Sequence, residues 1–246
     1  MIEKGKKAAK NIYDTYNNSG PEAAIRRAVQ ILYTHTIRPY TGLQSGKTNG
    51  SILIPDNAEV PENLLIKKYD KYITPSLKYY KSINSEMIHK YSTEGDSIVI
   101  VGGGHGVTSV AAAKSVGAEG CVDIFEGSRD RVKTIKDTLC LNDVVSKYTV
   151  HHEVVGTRSK VVGSINGADT VHPKTLPKSD LIEIDCEGAE LDILKNIVHE
   201  PKYIIAETHP NERSTKELIL NVLTGYRLIE CIEDPHGGSI VVFRTS

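Results

Sequence analysis

Apolar and polar positions change their rhythm along the chain near residue 97. Before it, Ala24, Ile25, Ala28, Ile31 and Leu32 recur at helical spacing, with Arg26, Arg27 and Gln30 on the other side, so residues 1–40 read as helical. Pro21, after Ser19-Gly20, stands where a helix starts. Residues 41–63 are broken by Thr41-Gly42, Ser45-Gly46, Asn49-Gly50, Pro55 and Pro61, a loop pattern. One short strand, Ser51–Ile54, interrupts it, and a further helix is expected over Pro75–Tyr91. Gly95-Asp96 turns the chain into its first strong strand.

From Ser97 onward short apolar runs alternate with amphipathic stretches. Strands are expected at Ser97–Val101, Gly120–Phe125, Tyr148–His152, Leu181–Asp185, Lys202–Glu207, Tyr226–Cys231 and Ser239–Arg244. Helices are expected around Thr108–Val116, Asp130–Leu141, Glu187–Val198 and Ser214–Thr224, with an irregular connection over 156–180. Strand–helix alternation implies an α/β fold, a mostly parallel sheet covered by helices on both faces. The last two strands are joined by Glu233-Asp234-Pro235-His236-Gly237-Gly238, a link short enough only for an antiparallel pair. The chain thus divides into a helical and loop-rich extension, 1–90, and an α/β domain, 91–246.

Charge sharpens that division. Residues 1–90 carry 14 Lys/Arg against 8 Asp/Glu, a balance of +6, and residues 91–246 carry 16 against 23, a balance of −7. The overall charge of −1 gives no sign of a nucleic-acid partner. Cys121, Cys140, Cys186 and Cys231 form no C-x-x-C pair and are expected as buried free thiols of a reducing compartment. No secretory leader and no apolar run of the roughly 20 residues that span a bilayer is visible. A cytoplasmic protein is expected, with peripheral membrane contact left open and nothing to fix its oligomeric state.

The segment Ile98-Val99-Ile100-Val101-Gly102-Gly103-Gly104-His105-Gly106-Val107-Thr108 reads as strand, glycine loop, helix. Ligands of open parallel sheets bind at the strands' carboxyl ends, and glycines there let the backbone turn sharply and lie against them. A dinucleotide loop wants G-x-G-x-x-G, but Val107 stands where the last glycine belongs, and the pattern is instead Gly102, Gly104, Gly106. No P-loop lysine follows. Twenty residues beyond Gly106 the second strand ends in Phe125-Glu126-Gly127, where a carboxylate can accept both ribose hydroxyls of a nucleoside. A glycine loop with this acid suits an adenosine ligand without pyrophosphate, which fits S-adenosylmethionine. Gly102, Gly103, Gly104, Gly106, Glu126 and Gly127 are therefore cofactor candidates. His152, after the third strand, is a further one, for adenine.

The second acidic cluster lies in Asp180–Leu194, an apolar strand ending in Asp185 and a helix opening near Glu187. The helix dipole accounts for Glu187 and Glu190. Asp185, a bare carboxylate at a strand's carboxyl end beside the glycine loop, is a candidate for both cofactor binding and catalysis. Taken with Gly102–Gly106, Phe125-Glu126 and Ala206-Glu207-Thr208-His209, this segment resembles the FkbM-type methyltransferases, whose hallmark I-D-x-E-G-A-E-x-x-x-L is matched from Ile184 to Leu194. The resemblance covers about residues 91–246. It implies a seven-stranded class I (Rossmann-like) methyltransferase fold with its last strand antiparallel, and S-adenosyl-L-methionine as cofactor. In one respect the chain departs from this class: Ile100 stands two residues before the first glycine, where an acid is frequent.

Methyl transfer from a sulfonium is an in-line displacement, so the protein mainly positions the acceptor. A hydroxyl acceptor also needs a base, and Asp185, Glu187, Glu207 and His209 are the candidates. A carboxylate acceptor needs none. Nothing in their spacing demands a metal, and none is expected. The family resemblance implies O-methylation of a sugar, glycan or related metabolite. Two readings of residues 1–90 stay open: the segment covers the acceptor side of the pocket, with Thr41–Pro61 as a lid and an anionic acceptor drawn by the basic charge, or its helices merely pack on the core with their lysines solvated. Two alternatives stay open: a non-catalytic S-adenosylmethionine-binding module or partner subunit, and a nucleotide-dependent oxidoreductase, which the glycine pattern disfavours.

Overall fold

The computed structural model describes residues 47–49, 52–54, 81–156, 165, 167–186, 188–208, 215–233 and 238–246, together with Tyr13, Tyr16, Asn17, Pro21, Ile25 and Ala28, which are helical. The remainder of the expected helix over 1–40, most of the 41–63 loop and residues 75–80 lie outside the described residues.

Seven strands form the central sheet: β3 (Ser97–Val101), β4 (Cys121–Phe125), β5 (Lys147–His151), β8 (Leu181–Ile184), β9 (Tyr203–Thr208), β10 (Tyr226–Glu233) and β11 (Ser239–Thr245). Their order is β10-β11-β9-β8-β3-β4-β5. β3 pairs in parallel with β4 on one side and β8 on the other, β4 with β5, and β8 with β9. β11 is antiparallel to both β9 and β10. This is the class I methyltransferase sheet, with the last strand reversed. The chain leaves β3 in both directions, so its switch point lies between β3 and β8, where the carboxyl ends diverge and open a crevice.

The central strands are largely apolar on both faces, as burial under two helical layers requires. One face carries α1 (Ser82–Tyr91), α2 (Val107–Val116) and α3 (Arg129–Leu141): Met87 and Ile88, Val110 and Ala113, and Ile135 and Leu139 pack with Ile98, Ile100, Ile124 and Leu181. The opposite face carries α4 (Glu190–Asn196) and α5 (Lys216–Val222): Ile193, Leu194 and Ile219 pack with Val99, Val101, Ile182, Ile184 and Ile204. Ile100 is fully buried in the first layer, so the acid missing there is replaced by core.

Two smaller sheets supplement this frame. β1 (Lys47–Asn49) and β2 (Ile52–Ile54) pair antiparallel, and Ile52 and Ile54 join the core beneath α1–α3. β6 (Glu153–Val155) and β7 (Asp169–Val171) pair in parallel, with a 3-10 turn at Pro173–Thr175. The connection expected to be irregular thus holds a strand and a turn. Both strands are three residues long, too short to leave a periodic signal. The four cysteines are free, but Cys140 and Cys231 are exposed rather than buried. They lie near the end of α3 and on the outermost strand β10, positions whose side chains the core does not reach. Among the described residues no helix is long and apolar enough to cross a membrane.

Candidate functional site

The loop after β3 is held against its neighbours on three sides. The Gly102 and Gly103 amides donate to the Phe125 carbonyl at 2.9 and 3.4 Å, and the Gly106 amide donates to the Gly103 carbonyl at 2.8 Å. Gly102, Gly104 and Gly106 have φ of 94°, 55° and 85°, backbone that L side chains rarely adopt. At Gly102 a Cβ would stand 1.8 Å from the Asp185 carbonyl oxygen, and at Gly103 2.7 Å from Ile124 and Ile135. Close packing therefore demands glycine at these two positions. It also seats Asp185 directly against the loop, because the Asp185 amide donates to the Val101 carbonyl at 2.9 Å.

Glu126, 5% exposed, turns its carboxylate inward. One oxygen accepts the Gly104 amide at 2.9 Å and the other the Ser128 amide at 2.7 Å, spanning the buried Gly127. Burial pushes its pKa up against those two amides and Arg131, which pull it down, and the charge of Asp185 pushes the same way as burial. Sequence reasoning found this acid but not its tie to the glycine loop. Each carboxylate oxygen has two acceptor sites, so one on each is left over from these two bonds.

His152 follows β5 at the same rim. The Glu126 amide donates to the carbonyl of His151, and the Glu153 amide to the carbonyl of Glu126, each at 3.1 Å. His152 Nε2 is buried without a hydrogen-bond partner among the described residues. His151 serves the sheet instead. Its ring stacks on Phe125 with centroids 4.4 Å apart and lies 2.9 Å from Asp123.

The acidic half lies across β3. Asp185 and Glu207, 9% and 12% exposed, are bridged by the ammonium of Lys81, which contacts Asp185 Oδ2 and donates to Glu207 Oε2 at 2.5 Å. Lys81 caps α1 in left-handed conformation, φ 53°. One turn on, Asn84 Nδ2 donates to Glu183 Oε1 at 3.0 Å. Glu183, 1% exposed on β8, has its carboxyl pushed up to about 8, first by burial, then by the Asp185 charge, with Lys81 pulling the other way. Neither Lys81 nor Glu183 was found from sequence: the lysine sits in a Lys/Tyr-rich stretch and the glutamate inside an apolar strand.

Glu190 is the hallmark residue whose role changes. Its carboxylate accepts the amides of Cys186 and Gly188 at 3.0 and 3.2 Å, closing the turn after Asp185 rather than serving only the helix dipole. The Cys186 thiol is pushed well up by burial and by Glu190, which keeps it protonated and unreactive. Glu187 and His209, two of the four catalytic candidates, lie outside the described residues. Among the described residues no group of three or more His, Cys, Asp or Glu is set to hold a metal.

The structure thus brings Gly102–Gly106, Glu126, Gly127, His152, Asp185 and Glu207 to one edge of the sheet, at the carboxyl ends of β3, β4, β5, β8 and β9. No protein-family profile and no curated sequence matches the chain. Its fold is similar to solved methyltransferase structures. An S-adenosylmethionine-dependent O-methyltransferase from Thermotoga maritima is 15% identical, with TM-score 0.48 over 67% of this chain and 65% of that one. Aeropyrum pernix fibrillarin with natively bound S-adenosyl-L-methionine is 10% identical, TM-score 0.46, over 67% and 75%. The O-methyltransferase TomG from Streptomyces achromogenes, in complex with the same cofactor, is 11% identical, TM-score 0.46, over 67% and 80%. At such identities the likeness is one of fold.

Proposed function

We propose that this chain is an S-adenosylmethionine-dependent methyltransferase of the FkbM type, transferring a methyl group to an oxygen of a sugar, glycan or related metabolite. The observation that carries the reading is the convergence of the glycine loop, Glu126 and Asp185 at the switch point of a class I sheet. Bound there, the cofactor supplies a methyl group on a sulfonium, an electrophile needing no metal.

The chain's own residues fit that guest. Gly102–Gly106 offer a surface without side chains. The acceptor sites left on Glu126 suit a ribose diol, while the bonds already made hold the carboxylate in one orientation. His152 Nε2 suits the edge of a base. Asp185 and Glu207 are the groups to take the acceptor's proton, with Glu187 and His209 as further candidates. A cytoplasmic setting and a role for residues 1–90 on the acceptor side belong to the same proposal. Asn84 and Lys81 already link that extension to the acidic half.

Glu126→Ala should weaken S-adenosylhomocysteine binding by roughly 1–3 kcal/mol, the range for hydrogen bonds to a charged acceptor. The loss should fall in the upper part of that range, because the Gly104 and Ser128 amides also lose their anchor. Calorimetry checks it, and unchanged affinity removes Glu126 from the site. Thermal shift with S-adenosylhomocysteine against NAD tests the class of ligand: stabilisation by NAD alone overturns the reading. With an acceptor found by mass spectrometry of methylated cell extract, Asp185→Asn and Glu207→Gln should each lower kcat at least tenfold while S-adenosylhomocysteine affinity stays within about threefold. Full turnover in both puts the base elsewhere.

A further inference from the structure

The cation set between the site's two described acids comes from outside the stretch that carries the family resemblance. Lys81 stands 104 and 126 residues before Asp185 and Glu207, yet its ammonium bridges them. Three further observations concern the same place. First, Lys81 has φ 53° and ψ 23° at a helix cap where glycine or asparagine would be at ease. A side chain kept in that conformation points to a role that needs this side chain, since backbone strain collects where structure serves function. Second, the conformation is fixed from α1: the Ser85 amide and hydroxyl both donate to the Lys81 carbonyl, at 3.0 and 2.8 Å. Third, α1 is pinned to β8 below the cluster by Asn84 and the buried Glu183. The helix is thus docked by polar contacts at the site, beyond the apolar ones of Met87 and Ile88.

We infer that Lys81 is a positioning residue of the active site, holding Asp185 and Glu207 together beside the glycine loop and offsetting one of their two charges. The inference rests on the methyltransferase reading above and deepens it. Two carboxylates brought to one place repel, and an ammonium set between them offsets that repulsion. The ammonium lets both keep their acceptor oxygens available, and it fixes their orientation. Among the described residues, the charged and polar groups facing the pair include Lys81 and Asn84 from α1 and its cap, and Glu183 from β8. Across β3 Glu126 senses the charge of Asp185. Asp185 also lies against Gly102, so the charge of this cluster bears on whatever the loop holds. A sulfonium should feel it, and an uncharged thioether should not.

S-adenosylmethionine and S-adenosylhomocysteine are titrated calorimetrically into the full chain and into Lys81→Met and Lys81→Arg at one pH. The ratio of the two affinities should be the same in the wild type and in Lys81→Arg, which keeps the positive charge. In Lys81→Met, which removes it, the preference for the sulfonium should rise at least threefold. Glu207→Gln, which removes a carboxylate from the same cluster, should lower the preference about threefold and serves if Lys81→Met does not fold. A lysine with a merely structural role would change melting temperature but not these ratios. Equal ratios in all the variants overturn the role of Lys81 alone. No binding of either compound by the wild type overturns the cofactor reading, and this inference with it.

Discussion

Alanine at Gly102 should cost the chain roughly 3–5 kcal/mol of stability, an overpacking and strain effect at the upper end for a single substitution. The new methyl would stand 1.8 Å from the Asp185 carbonyl oxygen and 2.7 Å from its carbon, both backbone atoms. A flexible side chain could move aside, but this carbonyl belongs to the chain just past β8, whose Asp185 amide is bonded to Val101. Relief requires parting β3 from β8 at their carboxyl ends, which is where the candidate site lies. Gly95→Ala is the matched control. Gly95 has a similar φ of 88°, but nothing lies within 4 Å of its added Cβ. It should lose only the roughly 1 kcal/mol of an unfavourable backbone conformation. Urea unfolding of both variants separates close approach from φ. Equal losses would mean that strand contact contributes nothing to the demand for glycine at 102.

Stability of the wild type should decline between about pH 4.5 and 8, and Glu183→Gln should remove that part of the decline. The folded chain holds the Glu183 proton far more tightly than an unfolded chain does, with a pKa of about 8 against roughly 4.3. A raised folded pKa gives stability that is whole below the unfolded value and is lost as pH rises through the folded one. Each pH unit inside that window is worth about 1.4 kcal/mol for one group. Glutamine copies the neutral acid, so the variant should melt below or level with the wild type near pH 4.5 and clearly above it at pH 8. The surroundings of Glu183 point the same way. Glu183 Oε2 and Asn84 Oδ1 are both buried without a hydrogen-bond partner among the described residues. A carboxylate has no donor to offer such an acceptor, and a carboxylic acid has one. Melting curves of the two proteins that stay parallel from pH 4.5 to 8 would mean that Glu183 is ionised throughout. Asn84→Leu, which strips away the amide, should lower stability at both ends of the range, because it leaves the buried carboxyl without its donor.

Sequence alone set out much of this molecule. The apolar run Ile98–Val101 followed by Gly102–Gly106, the strand ending at Glu126 and the strand before Asp185 are local patterns. Alternation of strand and helix and the short link before Ser239 carry the parallel sheet and its reversed last strand. Position at a strand's carboxyl end was enough to nominate Glu126, Asp185 and Glu207, because the fold class itself sends those ends to one edge. Boundaries moved by a few residues at most where both ends are described: the helix expected over Glu187–Val198 is Glu190–Asn196, since the turn closed by Glu190 delays its start.

The tertiary structure decided what no local pattern holds. That Lys81 meets Asp185 and Glu207 depends on where α1 docks against β8 and β9, and spacing along the chain says nothing of that across more than a hundred residues. That Glu126 already holds the Gly104 and Ser128 amides depends on the turn after β4 folding back under the glycine loop. The same physics explains Glu183: a charge symbol within an apolar strand reads as an interruption. Only burial beneath α1, next to Asp185 and a single asparagine amide, turns it into a neutral acid. Hydrophobic periodicity is a one-dimensional signal and fixes which face of each element is buried. The energy of a polar group depends on its three-dimensional neighbours, so the charges of this site acquired their meaning only when the sheet was assembled.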